Sequence, residues 1–375
     1  MRTSRILGFS LFILFSTHLS SGAQHRIDSL RTQLDKNIAD STRSRLLFDL
    51  AEDLGTSDTV FAFSSLEKAR EIVSQANDIG GLGRYYMLMG KIKSRSGRYE
   101  DAMLHFDRAL AYYNEADDLL SFYEVIKEKG NVHLFRSEFD QAMNHYESAL
   151  DYYQRNNNPI GISRCLNNMG IIHKNQGDYA EALSVYQESV SYLDSIRDAF
   201  DVSQAYINIG NLFVYLGSYE RALEFFNRAL EIAEQNNFQK NISLCLLNSG
   251  VIQNKIGNFD EALNLYQRSL SVSRSLHDPV QTSNCLINLG TNYADMDEPE
   301  KGLAFVREGM EMKTELGDER GISNCLIHLA YIYSQMGEHD QATALFDQPI
   351  PIKEKLDDPD GLIRCYLGHG EVPFD

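Results

Sequence analysis

Apolar side chains recur along the chain three and four residues apart. In 161–176 Leu166, Met169, Ile172 and the ring of His173 fall at that spacing, which predicts one helix face. Gly177 and Asp178 then interrupt the run, Gly because it tolerates a left-handed conformation and Asp because it caps. A second run over 179–196 carries Tyr179, Ala182, Tyr186 and Ser189 at the same spacing and predicts a second helix.

The pair returns every 40 residues. Gly stands at 90, 130, 170, 210, 250, 290 and 370, with Ala330 in the one gap. Seven positions after this anchor come Gly97, Gly177, Gly217, Gly257 and Gly337, with Ser137 and Asp297 as exceptions. Twelve after it lie Ala102, Ala142, Ala182, Ala222 and Ala262; sixteen after it lie Phe106, Tyr146, Tyr186, Phe226 and Tyr266. A small residue lets the partner helix come close, and the large ring fills the space beside it. The frame gives eight units over 41–360, an incomplete ninth unit or a modified cap over 361–375, and a lead-in helix over 24–40.

Gly210, Gly217, Tyr219, Ala222, Phe226 and Ala229 together resemble the tetratricopeptide repeat (TPR) signature, and the resemblance covers roughly 41–370. It implies an all-α chain, a right-handed superhelical solenoid of helix-turn-helix repeats. The period of 40 exceeds the family's commoner 34, which places extra residues in the second helix or the loop after it. The proline that often closes a unit is missing from most units. The long form is similar to the TPR arrays of kinesin light chains and of bacterial signalling proteins.

Residues 1–23 read differently. Arg2 and Arg5 precede an apolar stretch from Ile6 to Phe15, and Ser21 and Ala23 give a small-x-small cleavage pattern. The stretch is shorter than the roughly 20 residues that span a bilayer. We expect a signal peptide cut after Ala23 rather than a membrane anchor, and an exported, periplasmic or extracellular product.

Composition narrows the partners. With 35 basic and 53 acidic residues the net charge is −18, so a nucleic-acid surface, which needs a basic footprint, is not expected. Acids such as Glu220, Glu224, Glu231 and Glu234 read as a solvated outer face rather than an acidic docking site. Cys165, Cys245, Cys285, Cys325 and Cys365 all stand five before the anchor, a place otherwise held by Ala205, Val125 and Tyr85. Neighbouring units lie roughly 10 Å apart, beyond the reach of a disulfide. Buried thiols are therefore expected rather than disulfides or metal ligands. His133 and His173 fall where Phe213, Tyr293 and Tyr333 stand in other units, and read as packing rings. No metalloprotease, phosphate-loop or nucleophile-elbow motif is present. The expectation is no enzyme, no metal and no small-molecule cofactor.

The candidate site is a row of amides. Asn168, Asn208, Asn248 and Asn288 all stand two before the anchor, and His328 continues the row. Positions six before, two before, one after and five after the anchor share one helical stripe. It carries Arg164 and Asn175 in unit 4 (with Lys174 at its edge), Asn211 and Tyr215 in unit 5, Lys255 in unit 6 and Asn284 in unit 7. Stacked units align the stripe into a groove. An amide donates and accepts, so it suits the peptide groups of an extended chain. Within the TPR family such a row resembles the asparagine ladder that holds extended peptides; the bland alternative is a polar exposed face.

The expected function is a non-catalytic exported scaffold that binds a protein or extended peptide in its groove. The alternative is the periplasmic input region of a membrane histidine kinase or related regulator, with a membrane-associated signalling partner and output domains beyond this chain. Pro349 and Pro351 inside the second helix of unit 8 make the end of the array irregular.

Overall fold

A computed structural model describes residues 21–36, 38–55, 59–355 and 358–371. The expected signal peptide lies outside these residues up to position 20. Helix α1 is Ser21–Leu34 and occupies most of the expected lead-in. Helix pairs follow: α2 Asp40–Leu54 with α3 Thr59–Gln75, α4 Ile79–Arg95 with α5 Tyr99–Glu115, α6 Leu119–Phe135 with α7 Phe139–Arg155, and α8 Pro159–Gln176 with α9 Tyr179–Ser191. Then come α10 Ala199–Tyr215 with α11 Tyr219–Gln235, α12 Gln239–Lys255 with α13 Phe259–Ser275, and α14 Pro279–Asp295 with α15 Pro299–Glu315. In unit 8, α16 Glu319–Gln335 pairs with α17 His339–Asp347 and α18 Ile350–Lys355, and α19 Pro359–Glu371 opens a ninth unit. Among the described residues there is no strand.

The long period is not lodged in the second helix or the loop after it, as the sequence suggested. In a regular unit such as α4–α5 both helices have 17 residues and both turns have three, so the two halves are equal. Each turn hinges on one left-handed residue. Seven after the anchor this is Gly97, Ser137, Gly177, Gly217, Gly257, Asp297 or Gly337. Twenty-seven after it stand Asn77, Asp117, Asn157, Asn237, His277 and Gly317, all with positive φ. Asn, Asp and Gly tolerate that conformation because their cost in it is small.

Unit 4 departs from the rule. Arg197 stands at that second turn position and has no positive φ, and α9 ends at Ser191 rather than at the expected 196. Asp194 Oδ1 instead accepts from the backbone N–H groups of Ile196 and Arg197, at 3.0 and 2.9 Å. Such a local side-chain bond competes with helix. Unit 8 is interrupted where expected: α17 stops at Asp347, two residues before Pro349.

Packing follows the small-large rule. A Cβ added to Gly210 would lie 2.5 Å from the Phe226 ring, and one on Gly90, Gly130, Gly170 or Gly250 would meet the matching ring at 2.5–2.7 Å. On the next turn of the first helix Ser163 Oγ lies 3.0 Å from Ser189 Oγ, and Ser203 Oγ donates to the Ala229 carbonyl at 3.1 Å. Asp78, Asp118, Asn158, Asp278 and Asp318 cap their first helices, each accepting from the N–H three residues on. All five cysteines are buried free thiols. Burial pushes Cys165 and Cys245 up to about 12 and Cys325 up to about 11, so they stay protonated and inert near neutrality.

From α1 to α17 each helix packs on the next along the chain, as in a solenoid, and the core is a string of local clusters. Consecutive first helices also touch one another, as α8, α10 and α12 do; among the described residues consecutive second helices approach less closely and meet through long side chains such as the Arg274–Glu308 pair at 2.8 Å. The stack therefore bends towards its first helices, which line the inner side. Glu220, Glu224, Glu231 and Glu234 on α11 are all exposed, as a solvated face requires.

Candidate functional site

The asparagine row lies on this inner side, at the seams between consecutive first helices. Asn168, Asn208, Asn248 and Asn288 are all half-buried rather than freely exposed. Each spends one N–H. Asn168 Nδ2 donates to Asn131 Oδ1 at 2.9 Å, Asn208 Nδ2 to Asn167 Oδ1 at 3.0 Å and Asn248 Nδ2 to Asn211 Oδ1 at 2.9 Å. Asn288 Nδ2 bonds the carbonyl of Asn284 in its own helix at 2.9 Å. At His328 the ring Nδ1 lies 3.0 Å from Thr291 Oγ1.

A rule underlies the partners. Where the residue one after the preceding anchor is polar (Asn131, Asn211, Thr291), the row residue bonds it across the seam. Where that residue is Ile171 or Val251, the amide turns elsewhere. Asn131, on the stripe in unit 3, and Asn167, off the stripe, thus join the site. The alternation of polar and apolar residues one after the anchor was the available signal for Asn131.

The remaining stripe residues divide. Arg164 is committed: it makes a two-pronged pair with Asp201 of the next unit at 2.8 and 3.2 Å. Burial disfavours its charge, but the Asp201 bonds outweigh this and raise its pKa. Tyr215 is exposed, with the Lys174 ammonium 4.8 Å from its ring centroid. Burial lowers the Lys174 pKa. Asn175 and Lys255 are exposed, and Asn284 is half-buried with its carbonyl taken by Asn288. Beyond the expected stripe, Asn254 Nδ2 donates to Asp295 Oδ2 at 2.7 Å, and Tyr331 donates to Asp295 Oδ1 at 2.6 Å. Towards the N-terminus the face turns ionic. Arg84 meets Asp49 at 2.7 Å, and Lys91 lies 3.7 Å from Glu52 and 3.8 Å from Glu128.

The face therefore offers half-used amides between paired charges. No hydrogen bond among the described residues reaches the Oδ1 atoms of Asn208 and Asn248, so each keeps an acceptor and one N–H for a ligand. His133 and His173, read as packing rings, are half-buried, and His133 Nδ1 lies 2.6 Å from Glu138 Oε2. Among the described residues no group of three or more His, Cys, Asp or Glu could hold a metal. No helix among them is long and apolar enough to cross a membrane.

Repeated helix pairs stacked with their first helices inward define a helical-repeat solenoid. The chain belongs to the tetratricopeptide repeat family: family models described as tetratricopeptide repeat match residues 124–195, 161–235 and 242–315, and also 83–118 and 323–348. No curated protein matches it in sequence. Among solved structures, a Rap protein complexed with Competence and Sporulation Factor is 16% identical, with TM-score 0.64 over 90% of this chain and 99% of that one. The Rap conjugation gene regulator of plasmid pLS20, in complex with a Phr peptide, is 13% identical with TM-score 0.64 over 90% and 96%. The apo quorum sensor NprR from B. thuringiensis is 13% identical with TM-score 0.61 over 88% and 98%. At these identities the likeness is one of fold.

Proposed function

We propose that this protein is a non-catalytic TPR scaffold that holds an extended peptide or protein segment along its inner first-helix face. The observation that carries the reading is the pair of half-buried amides at Asn208 and Asn248, each with an acceptor and one N–H that no hydrogen bond among the described residues uses. Such groups satisfy a peptide backbone in both directions without demanding particular side chains. Two solved proteins of the same fold are described in complex with a peptide or factor, which agrees with a ligand on this architecture. Asn168, Asn288, Asn211, Asn284, Asn175, Tyr215 and Lys255 extend the same face; Arg164 supports it through Asp201.

An array of synthetic decapeptides of varied sequence tests this. The wild-type protein should retain a subset. Replacing Asn208 and Asn248 by Ala should weaken retention about tenfold, since two hydrogen bonds of roughly 0.5–1.5 kcal/mol each are lost. No retained peptide, or equal retention by a variant of unchanged helicity, ends the reading.

The same proposal places the protein outside the cytoplasm after removal of residues 1–23. Cell fractionation with N-terminal sequencing should find a periplasmic or secreted product starting at Gln24. An uncut product in the cytoplasm contradicts this.

A further inference from the structure

A cavity lies at the N-terminal end of the array, away from the amide row. It measures about 450 Å³ and sits between α1, α2 and α3. That volume is in the range of small-molecule sites. Its floor is apolar: Leu47 and Leu50 of α2 are buried, and Leu34 and Ile72 pack against the same core. No lining residue belongs to the row.

The charges around it are unusual for this chain. Arg31, Arg43 and Lys68 line the cavity, against Asp35 and Glu71, in a protein with a large acidic excess. Lys68, Asp35 and Glu71 are exposed, so solvent screens them. Arg31 and Arg43 are the half-buried charges. Among the described residues Arg31 has one long ion pair, to Asp28 at 4.0 Å, and Arg43 has one long hydrogen bond, to the Lys36 carbonyl at 3.5 Å. The Nε of Arg31 is buried without a hydrogen-bond partner, a costly state for a donor on a charged group. Its guanidinium is held 4.8 Å from the centroid of the Phe61 ring, which fixes it at the cavity.

Two half-buried guanidiniums lining a cavity with an apolar floor suit a ligand that joins an anion to an apolar body. We propose that this cavity binds a small amphiphilic carboxylate, with its carboxylate on Arg31 and Arg43 and its apolar body against Leu34, Leu47, Leu50 and Phe61. Arginine suits the role because its planar fork bonds both oxygens of a carboxylate. The apolar body gains from leaving water.

Titration calorimetry of the full chain with sodium decanoate, kept below its micelle concentration, tests this against uncharged decanol. Decanoate should bind saturably, one per chain, and about tenfold more tightly than decanol, because only the acid meets the two charges. Arg31→Gln with Arg43→Gln should abolish that preference while leaving decanol binding intact, which reports an intact cavity. Should Arg31→Gln loosen α1, Arg43→Gln alone must still narrow the preference. Equal affinity for acid and alcohol, an unchanged preference in the variants, or no saturable binding overturns the proposal. None of these outcomes bears on the peptide reading, which rests on other residues.

Discussion

At the residue scale the anchor and turn glycines do different work. Gly210 is small because Phe226 occupies the place of its Cβ, 2.5 Å away. Gly217 meets nothing within 4 Å but has φ +68°. Gly210→Ala should cost about 1–3 kcal/mol by overpacking. Gly217→Ala should cost about 1–2 kcal/mol, since L residues are strained in the left-handed region. The converse change is informative: Ser137 occupies the same turn place with φ +60°, so Ser137→Gly should raise the melting temperature. Thermal unfolding of the three variants checks this. A stabilised Gly210→Ala, or a Ser137→Gly that melts lower, contradicts the assignment. The phase of these residues was legible in the sequence because each packing or φ requirement admits few residue types. The amide row was legible in phase too, but its cross-seam partner Asn167, which lies off the stripe, was not. A stripe read on one helix says nothing of which residue on the next helix sits opposite.

At the element scale the sequence predicted helix faces well and helix ends less well. The expected 179–196 helix is five residues too long because periodicity registers the apolar face and not the turn that follows. The turn needs a residue that accepts positive φ, and unit 4 supplies Arg197 where its neighbours have Asn157 and Asn237. Arg197→Asn, combined with Asp194→Ala to remove the competing bonds, should extend α9 by about one turn. Hydrogen exchange at amides 192–196 should then slow by about tenfold, as helix bonds replace a solvated turn. Unchanged exchange there would show that something other than turn chemistry ends the helix. The break before Pro349 was foreseeable for the opposite reason: proline's missing N–H is a property of the residue and needs no tertiary context.

At the scale of the whole molecule, stability in a stacked array is set by interfaces between neighbours. The shortened α9 leaves units 4 and 5 with less second-helix packing between them than other units have. The inner side of the same junction is tied instead by the forked Arg164–Asp201 pair, by Asn208 on Asn167, and by Lys174 over the Tyr215 ring. The outer edge of this junction therefore packs over less area than its neighbours while its inner edge is bonded, which predicts that it opens outward first. Arg197 is exposed in the loose segment. Brief trypsin treatment of the native protein should therefore cut first after Arg197, and native-state cleavage tracks the population of the open form. Arg164→Gln removes a partly exposed but two-pronged ion pair worth about 1 kcal/mol, so the cut should come about fivefold faster. Because this junction lies between Asn168 and Asn208, a ligand spanning both rungs should hold it closed and slow the cut. A first cleavage elsewhere, or a rate indifferent to Arg164→Gln, would show that this junction is not the first part of the array to open.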